Sequence, residues 1–343
     1  MTSYQSNIDL DQAVHVLREA RRIVVTTHAK PDGDAYGAVT ALVAALRALG
    51  KDASGRLMPP MHPSIDALHG RELSALFHEG DSLGEPDLLV IVDTGAWAQL
   101  APMRGEVERL LDRTLIIDHH LSGDVPAKQR YIDGKAAASC EIMTLVIEAL
   151  GVADAPLVSE SLFVGIASAT GWCRFSNVRP LTHEIAGRLI GRGVDHASLF
   201  GRLEQAERAE KLKLLIRALD SLQLIADDQA AVMTLRAADF AQTHTSIEET
   251  ERFVDVPQMV QSVQVVVLIT EPPADGGSKP QPVRLSFRSK PGAQAVNVAE
   301  LAQRFGGGGH SRAAGAKVDA PVDDVVTRVI TAIGEALKKK NNN

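Results

Sequence analysis

Cysteine is almost missing from this chain: Cys140 and Cys173 are the two in 343 residues. They are far apart and offer neither a disulfide framework nor a zinc-binding spacing, and a reducing cytoplasm is the expected setting. Aromatic residues make up only 4% of the chain, so alanine, valine and leucine must fill the core. Positive charge is in deficit, with a formal net charge of -7. That balance argues against a broad basic surface for long nucleic acid. It leaves room for a short anionic ligand held by a few local cations or by metal. No apolar run reaches about 18 residues, so neither a membrane span nor a membrane partner is expected. The first seven residues are polar, and no signal peptide is expected. Internal repeats are absent too.

What the chain does have is an apolar content of 45%, ample for a globular protein. Its length suits two domains. The stretch that organises it is Leu115-Ile116-Ile117-Asp118-His119-His120, a short apolar run ending in an aspartate and two histidines. Such runs read as buried strands of a parallel sheet. Open α/β sheets bind their ligands beyond the carboxyl ends of their strands. Two more predicted strands end alike. Residues 22–27 run into a loop holding His28, Asp32 and Asp34, before a helix over 36–49 stopped by Gly50. Residues 87–92 run into Asp93. Helices are predicted over 9–19, 137–150 (with Gly151 as its C-cap), 158–169 and 181–193. This alternation predicts a doubly wound parallel sheet.

The periodicity over 199–224 predicts one long helix that could bridge domains. Strands are predicted over 230–235, 263–271 and 283–289, with a turn-rich hairpin over 272–280 between the last two. A helix follows over 296–304, then the tetraglycine Gly306-Gly307-Gly308-Gly309, His310, and a closing helix over 322–338 with a frayed tail behind it. Four consecutive glycines read as a loop made for close ligand approach rather than for packing, with amides free to meet an anion. The expected organisation is a first domain over 1–193, a helical connector over 194–229 and a smaller α/β domain over 230–343, with a cleft between the two domains.

Histidines and aspartates arriving together at three strand ends match a divalent metal site. Mixed imidazole and carboxylate donors favour manganese, iron, cobalt or zinc over calcium or magnesium alone. Six such groups exceed what one ion with an open position needs. Two ions sharing a bridging carboxylate, about 3.5–4 Å apart, would use them better and suit phosphoryl displacement. Each residue taken singly also reads as a helix cap, a turn aspartate or a core histidine.

His28-x-x-Pro31-Asp32-Gly33-Asp34, Asp93-Thr94 and Asp118-His119-His120 resemble the first three motifs of the DHH phosphoesterase family. Gly165-Ile166-Ala167-Ser168-Ala169-Thr170-Gly171 resembles its fourth motif. Gly306 to Gly315 resembles the signature of the DHH-associated C-terminal domain. The resemblance spans nearly the whole chain and is nearest to the nanoRNase / pAp phosphatase group, which degrades very short oligonucleotides and removes the 3'-phosphate of phosphoadenosine phosphate.

That resemblance implies two divalent metal ions, with manganese expected. His28, Asp32 and Asp93 would hold one. Asp34, Asp93 and His119 would hold the other, with Asp93 bridging. His120 would meet the scissile phosphate, and Asp118 would orient the histidine pair. Arg288, Ser289, Gly307, Gly308, Gly309 and His310 would bind the substrate, the arginine through its guanidinium fork. Arg174, Phe175 and Asn177 are lesser candidates. The implied substrate is a short oligonucleotide or a 3'-phosphonucleotide; a homodimer is left open.

One departure bears on activity. The family carries a metal-ligating aspartate where Ala169 stands, and commonly an aromatic residue where Cys173 stands. A catalytically weak nucleotide-binding protein is therefore the alternative reading. A phosphodiesterase of cyclic or linear dinucleotides is a second alternative, since the core motifs are shared.

Overall fold

The computed structural model describes residues 4–66, 68–155, 157–274, 281–292 and 295–341. The chain divides into two compact units, Met1–Ala206 and Glu207–Asn343.

The first unit is built on six strands: β1 (Arg22–Thr26), β2 (Asp52–Leu57), β3 (Ser74–Leu76), β4 (Leu88–Val92), β5 (Thr114–Asp118) and β6 (Gln129–Ile132). They lie in the order β3-β2-β1-β4-β5-β6, and every neighbouring pair is parallel. β4 and β5 are buried along their whole length because the sheet is covered on both faces. Their side chains alternate accordingly. Leu88, Val90, Val92, Leu115 and Ile117 join the core under the helices Gly33–Ala48, Ser139–Leu150 and Val158–Thr170. Leu89, Ile91 and Ile116 join a smaller core with Met103, Val107 and Leu110 on the opposite face. The sequence pattern missed β2, β3 and β6. β2 is mostly polar or small (Asp-Ala-Ser-Gly-Arg-Leu), β3 has three residues, and β6 is only half-buried.

Strand order reverses between β1 and β4, and open sheets bind ligands at such a switch. The helix expected over 36–49 starts earlier, at Gly33, because the Asp32 side chain accepts from the backbone amides of Asp34 and Ala35 and caps it. Asp34 therefore sits in the helix's first turn, not in a loop. Gly151 ends the helix Ser139–Leu150 in the left-handed conformation, as expected of a C-cap.

β6 is the last strand of the sheet, and residues 6–8 occupy its outer edge. The amides of Asn7 and Ile8 both donate to the Arg130 carbonyl, Ser6 Oγ exchanges hydrogen bonds with Ile132, and Asn7 Oδ1 accepts from the Arg130 amide.

The long helix read over 199–224 is two helices, His196–Glu204 and Ala209–Asp220. The first lies in the first unit and the second in the second unit, so the expected connector over 194–229 is shared between them. The second unit holds β7 (Gln223–Ile225), β8 (Ala230–Leu235), β9 (Val265–Thr270), β10 (Val283–Ser289), β11 (Gly308–His310) and β12 (Ala313–Val318). They form a mixed sheet in the order β11-β12-β10-β9-β8-β7. β9 and β10 pair antiparallel, as the predicted hairpin requires; residues 275–280 of its turn lie outside the described residues. The closing helix extends to Asn341, further than the expected 338.

The tetraglycine corrects a sequence expectation. It is not a free loop: Gly308 and Gly309 belong to β11 and pair with β12. A Cβ on Gly307 would lie 2.1 Å from the Gly315 carbonyl oxygen. One on Gly309 would lie 2.6 Å from the Ala313 carbonyl oxygen, and its φ is +139°. These two glycines are there for packing after all. Gly308 faces open space.

Candidate metal centre

β1, β4 and β5 run side by side, so the residues following each are neighbours at one end of the sheet. His28 follows β1, Asp93 follows β4, and His119 and His120 follow β5. Asp93 sits at the middle. Its Oδ2 is 3.5 Å from His28 Nε2, and its Oδ1 is 3.4 Å from His119 Nε2. The two oxygens of one carboxylate thus face two different imidazoles. The Asp93 backbone has φ 60°, the left-handed region that a non-glycine residue seldom enters, as occurs where a site fixes its geometry.

Both imidazoles are oriented from behind. His28 Nδ1 lies 3.0 Å from the Ala29 carbonyl and His119 Nδ1 lies 3.1 Å from the Ala136 carbonyl. A carbonyl only accepts, so Nδ1 carries the proton in each and Nε2 is left as a ligand atom. This is the usual arrangement of a metal-binding histidine. Donor atoms of His28, Asp32 and Asp93 lie within 4.8 Å of one another, as do those of Asp93, His119 and His120. In the second cluster, His120 offers Nδ1, but that nitrogen is 2.7 Å from Asp118 Oδ1 and is spent there. Asp34 is the better partner. Its Oδ2 is 3.9 Å from His119 Nε2, and its oxygens accept from the Ser139 and Cys140 amides, each retaining capacity for a cation. The donor set therefore fits divalent metal at two places that share Asp93.

The electrostatics agree. Burial would raise the Asp93 carboxyl, but hydrogen bonds and charge from His119 and His28 hold it well below the usual carboxylate range. Burial and the charge of Asp93 push Asp34 up instead. Burial would lower His28 and His119; bonds to Asp93 and the nearby carboxylates override it and raise each to about 9. Without metal, protons on these imidazoles do the neutralising. Among the described residues no lysine or arginine pairs with Asp34 or Asp93.

Asp118 is fully buried and accepts from the amides of His119 and His120 and from His120 Nδ1, all at Oδ1. Its Oδ2 accepts from the Tyr4 hydroxyl at 2.6 Å. Asp118 thus holds the Nδ1 edge of the half-exposed His120 ring. Two participants escaped the sequence reading. Ser139 donates its hydroxyl to Asp93 Oδ1 at 2.9 Å while its amide holds Asp34. Its one signal was a serine opening a helix, which reads as a cap. Tyr4 had no signal, lying 114 residues from its partner.

Ala169 is on the helix Val158–Thr170, one turn after Gly165 and so on the same face. A Cβ on Gly165 would lie 2.9 Å from Asp34 Oδ1. Position 169 thus lies on the face turned toward Asp34, but offers no donor. Asn177 Nδ2 donates to the Ala137 and Ala169 carbonyls, which ties this helix end to the segment bearing Ala136. Arg174 and Phe175 are exposed, the arginine Nε bonded to the Gly171 carbonyl. In the second unit Arg288 is 4.0 Å from Asp255 and partly exposed, and His310 is exposed on β11. Ser289 is buried, and its hydroxyl accepts from the Val296 amide, so it is occupied within the fold.

The DHH family, N-terminal domain, matches residues 22–170, and the DHHA1 domain matches residues 228–339. The bifunctional oligoribonuclease and PAP phosphatase NrnA of Thermus thermophilus is 28% identical over 326 residues, covering 92% of this chain and 90% of that protein. The Bacillus subtilis protein of the same name is 25% identical over 300 residues, covering 86% and 89%. The crystal structure of an exopolyphosphatase-related protein from Bacteroides fragilis superposes with a TM-score of 0.84 at 20% identity, covering 96% and 97% of the two chains, and shares the fold. No helix among the described residues is long and apolar enough to cross a membrane.

Proposed function

Since the chain belongs to the DHH family and carries a DHHA1 domain behind it, we propose that this nucleotide phosphoesterase hydrolyses short oligonucleotides and the 3'-phosphate of pAp. The observation that carries the reading is the Asp93 carboxylate, its two oxygens turned to two imidazoles whose other nitrogens are fixed by backbone carbonyls. His28, Asp32 and Asp93 would hold one divalent ion, and Asp34, Asp93 and His119 a second; the mixed donor set suits manganese, iron, cobalt or zinc, and the family resemblance favours manganese among them. When bound, such a pair would lower the pKa of a water so that it attacks phosphorus as hydroxide, and would draw charge from the phosphoryl oxygens. The protein's own part follows from its contacts. Ser139 holds the shared carboxylate in place. His120, its Nδ1 proton held by Asp118 and its pKa raised by that bond, would in its protonated form donate from Nε2 to a phosphoryl or leaving oxygen. Arg288, Gly308 and His310 would bind the substrate's phosphate and sugar, with Gly307 and Gly309 setting the backbone that presents them.

Turnover of a dinucleotide, pAp and a cyclic dinucleotide, measured side by side with manganese, tests this. The first two should be hydrolysed and the third should not. Arg288→Ala should weaken substrate binding by about 1.5–3 kcal/mol, the worth of a charged hydrogen bond. No turnover of either linear substrate at any metal concentration would refute the reading. Ala169 favours a second reading, a nucleotide-binding protein with little chemistry. Tight pAp binding without hydrolysis would support that instead.

A further inference from the structure

The proposed chemistry needs no atom of Tyr4, yet the surroundings of its hydroxyl are built for it. The ring lies against Gly95, after β4, and Gly123, after β5. A Cβ on Gly95 would be 1.9 Å from the phenol oxygen, and one on Gly123 would be 2.4 Å from a ring carbon. The two loops are joined where the Asp124 and Val125 amides donate to the Gly95 carbonyl and the Trp97 amide donates to Asp124. They are also the loops that begin with Asp93 and with His119 and His120. Any side chain at either glycine would expel the ring.

We infer that Tyr4 is a positioning residue for the reaction: its hydroxyl completes a chain Tyr4–Asp118–His120 that fixes the aim of the His120 ring. The inference rests on the phosphoesterase reading above for its effect on rate. Asp118 Oδ1 already takes three donors. Among the described residues Tyr4 is the one side chain donating to Oδ2. Without it the buried carboxylate has an oxygen without a donor, and its rotation about the bond to Cβ, which sets the aim of His120, is held at Oδ1 alone. Holding the N-terminal segment down does not require the hydroxyl. Residues 6–8 are bonded to β6 by their own amides and side chains.

Tyr4→Phe keeps the ring in its slot and removes the one donor. On a dinucleotide, kcat should fall about tenfold, the lower end for a partner behind a site residue, with KM and metal content nearly unchanged. In an Asp118→Asn background the same change should matter little, because the coupling runs through Asp118. Full kcat in Tyr4→Phe, or the same fold-loss in both backgrounds, would overturn the inference. A readout independent of turnover covers an Asp118→Asn chain that does not fold. In protein labelled with 15N-histidine, Tyr4→Phe should shift the Nδ1–H resonance of His120 and leave those of His28 and His119 in place. An unmoved His120 resonance also overturns it. A wild-type chain that hydrolyses no nucleotide counts against the phosphoesterase reading, and the resonance shift then decides for Tyr4 alone.

Discussion

At the residue scale the pivotal position is 169. On the proposed two-metal reading, alanine there would leave the second ion with Asp34, Asp93 and His119 from the protein, and three ligands can hold an ion if water completes the shell. The His28, Asp32 and Asp93 cluster is untouched. Purified protein should therefore carry one tightly held metal and a second that is lost on dialysis. Ala169→Asp should raise metal content toward two per chain and raise turnover at least about tenfold, or about 1.4 kcal/mol of barrier. Elemental analysis and single-turnover rates on both chains decide this; two tight metals and equal rates in the chain as it stands would show that position 169 does not matter. Protons compete for the same donors. His28 and His119 stay protonated up to about 9 in the metal-free protein, and each must lose its proton to become a ligand. Apparent metal affinity should rise as pH climbs from 6.5 toward about 9, with proton release on binding. In the metal-free chain the same raised values mean the reverse: stability from these pairs is complete below 6.5 and is lost as pH rises through about 9. Calorimetry in buffers of different ionisation enthalpy reads the protons released; none released would show that the imidazoles are not ligands. His28, Asp93, His119 and His120 were legible in the sequence because each falls within three residues of the end of an apolar run. Ser139 and Tyr4 were not, because what they contact depends on how distant segments meet.

At the scale of elements, legibility followed burial. β4, β5, β8 and β10 announce themselves by apolar runs or strict alternation, whereas β2 and β6 are polar enough to pass for loops. The long helix over 199–224 was misread because the charge and apolar pattern continues across 205–208, where the backbone does not. The tetraglycine shows a further limit, since composition alone cannot separate glycines that meet a ligand from glycines that meet a neighbouring strand. Gly307→Ala or Gly309→Ala should cost about 1–3 kcal/mol by forcing β12 aside. Gly308→Ala, pointing into open space, should stay within about 0.5 kcal/mol of the parent. Thermal melts of the three variants make the comparison. Equal losses at all three positions would mean that the pairing with β12 is not what fixes them. If Gly308 meets the substrate, its alanine variant should raise KM while leaving Tm in place.

On the scale of the whole molecule, each unit has its own sheet and its own cores, and the proposed metal ligands all belong to the first. Anything that binds only the native state stabilises the part it binds. Chelation should therefore loosen the first unit alone. Hydrogen exchange should quicken after metal removal over residues 28–35, 93–96 and 118–140 and stay unchanged over 228–339. Equal loss of protection in both units would mean that metal supports the chain as a single cooperative body.

The segment over 6–8 has a consequence for solubility. An outer strand with free amides and carbonyls invites a strand from another molecule to pair with it, and is a starting point for aggregation. Here the polar groups of Arg130 and Ile132 on that side are already taken by Ser6, Asn7 and Ile8. Those residues offer no regular ladder of their own to extend. A chain trimmed to begin at Asp9 would present β6 bare. It should self-associate on concentration, as light scattering would record, even while its metal ligands remain in place.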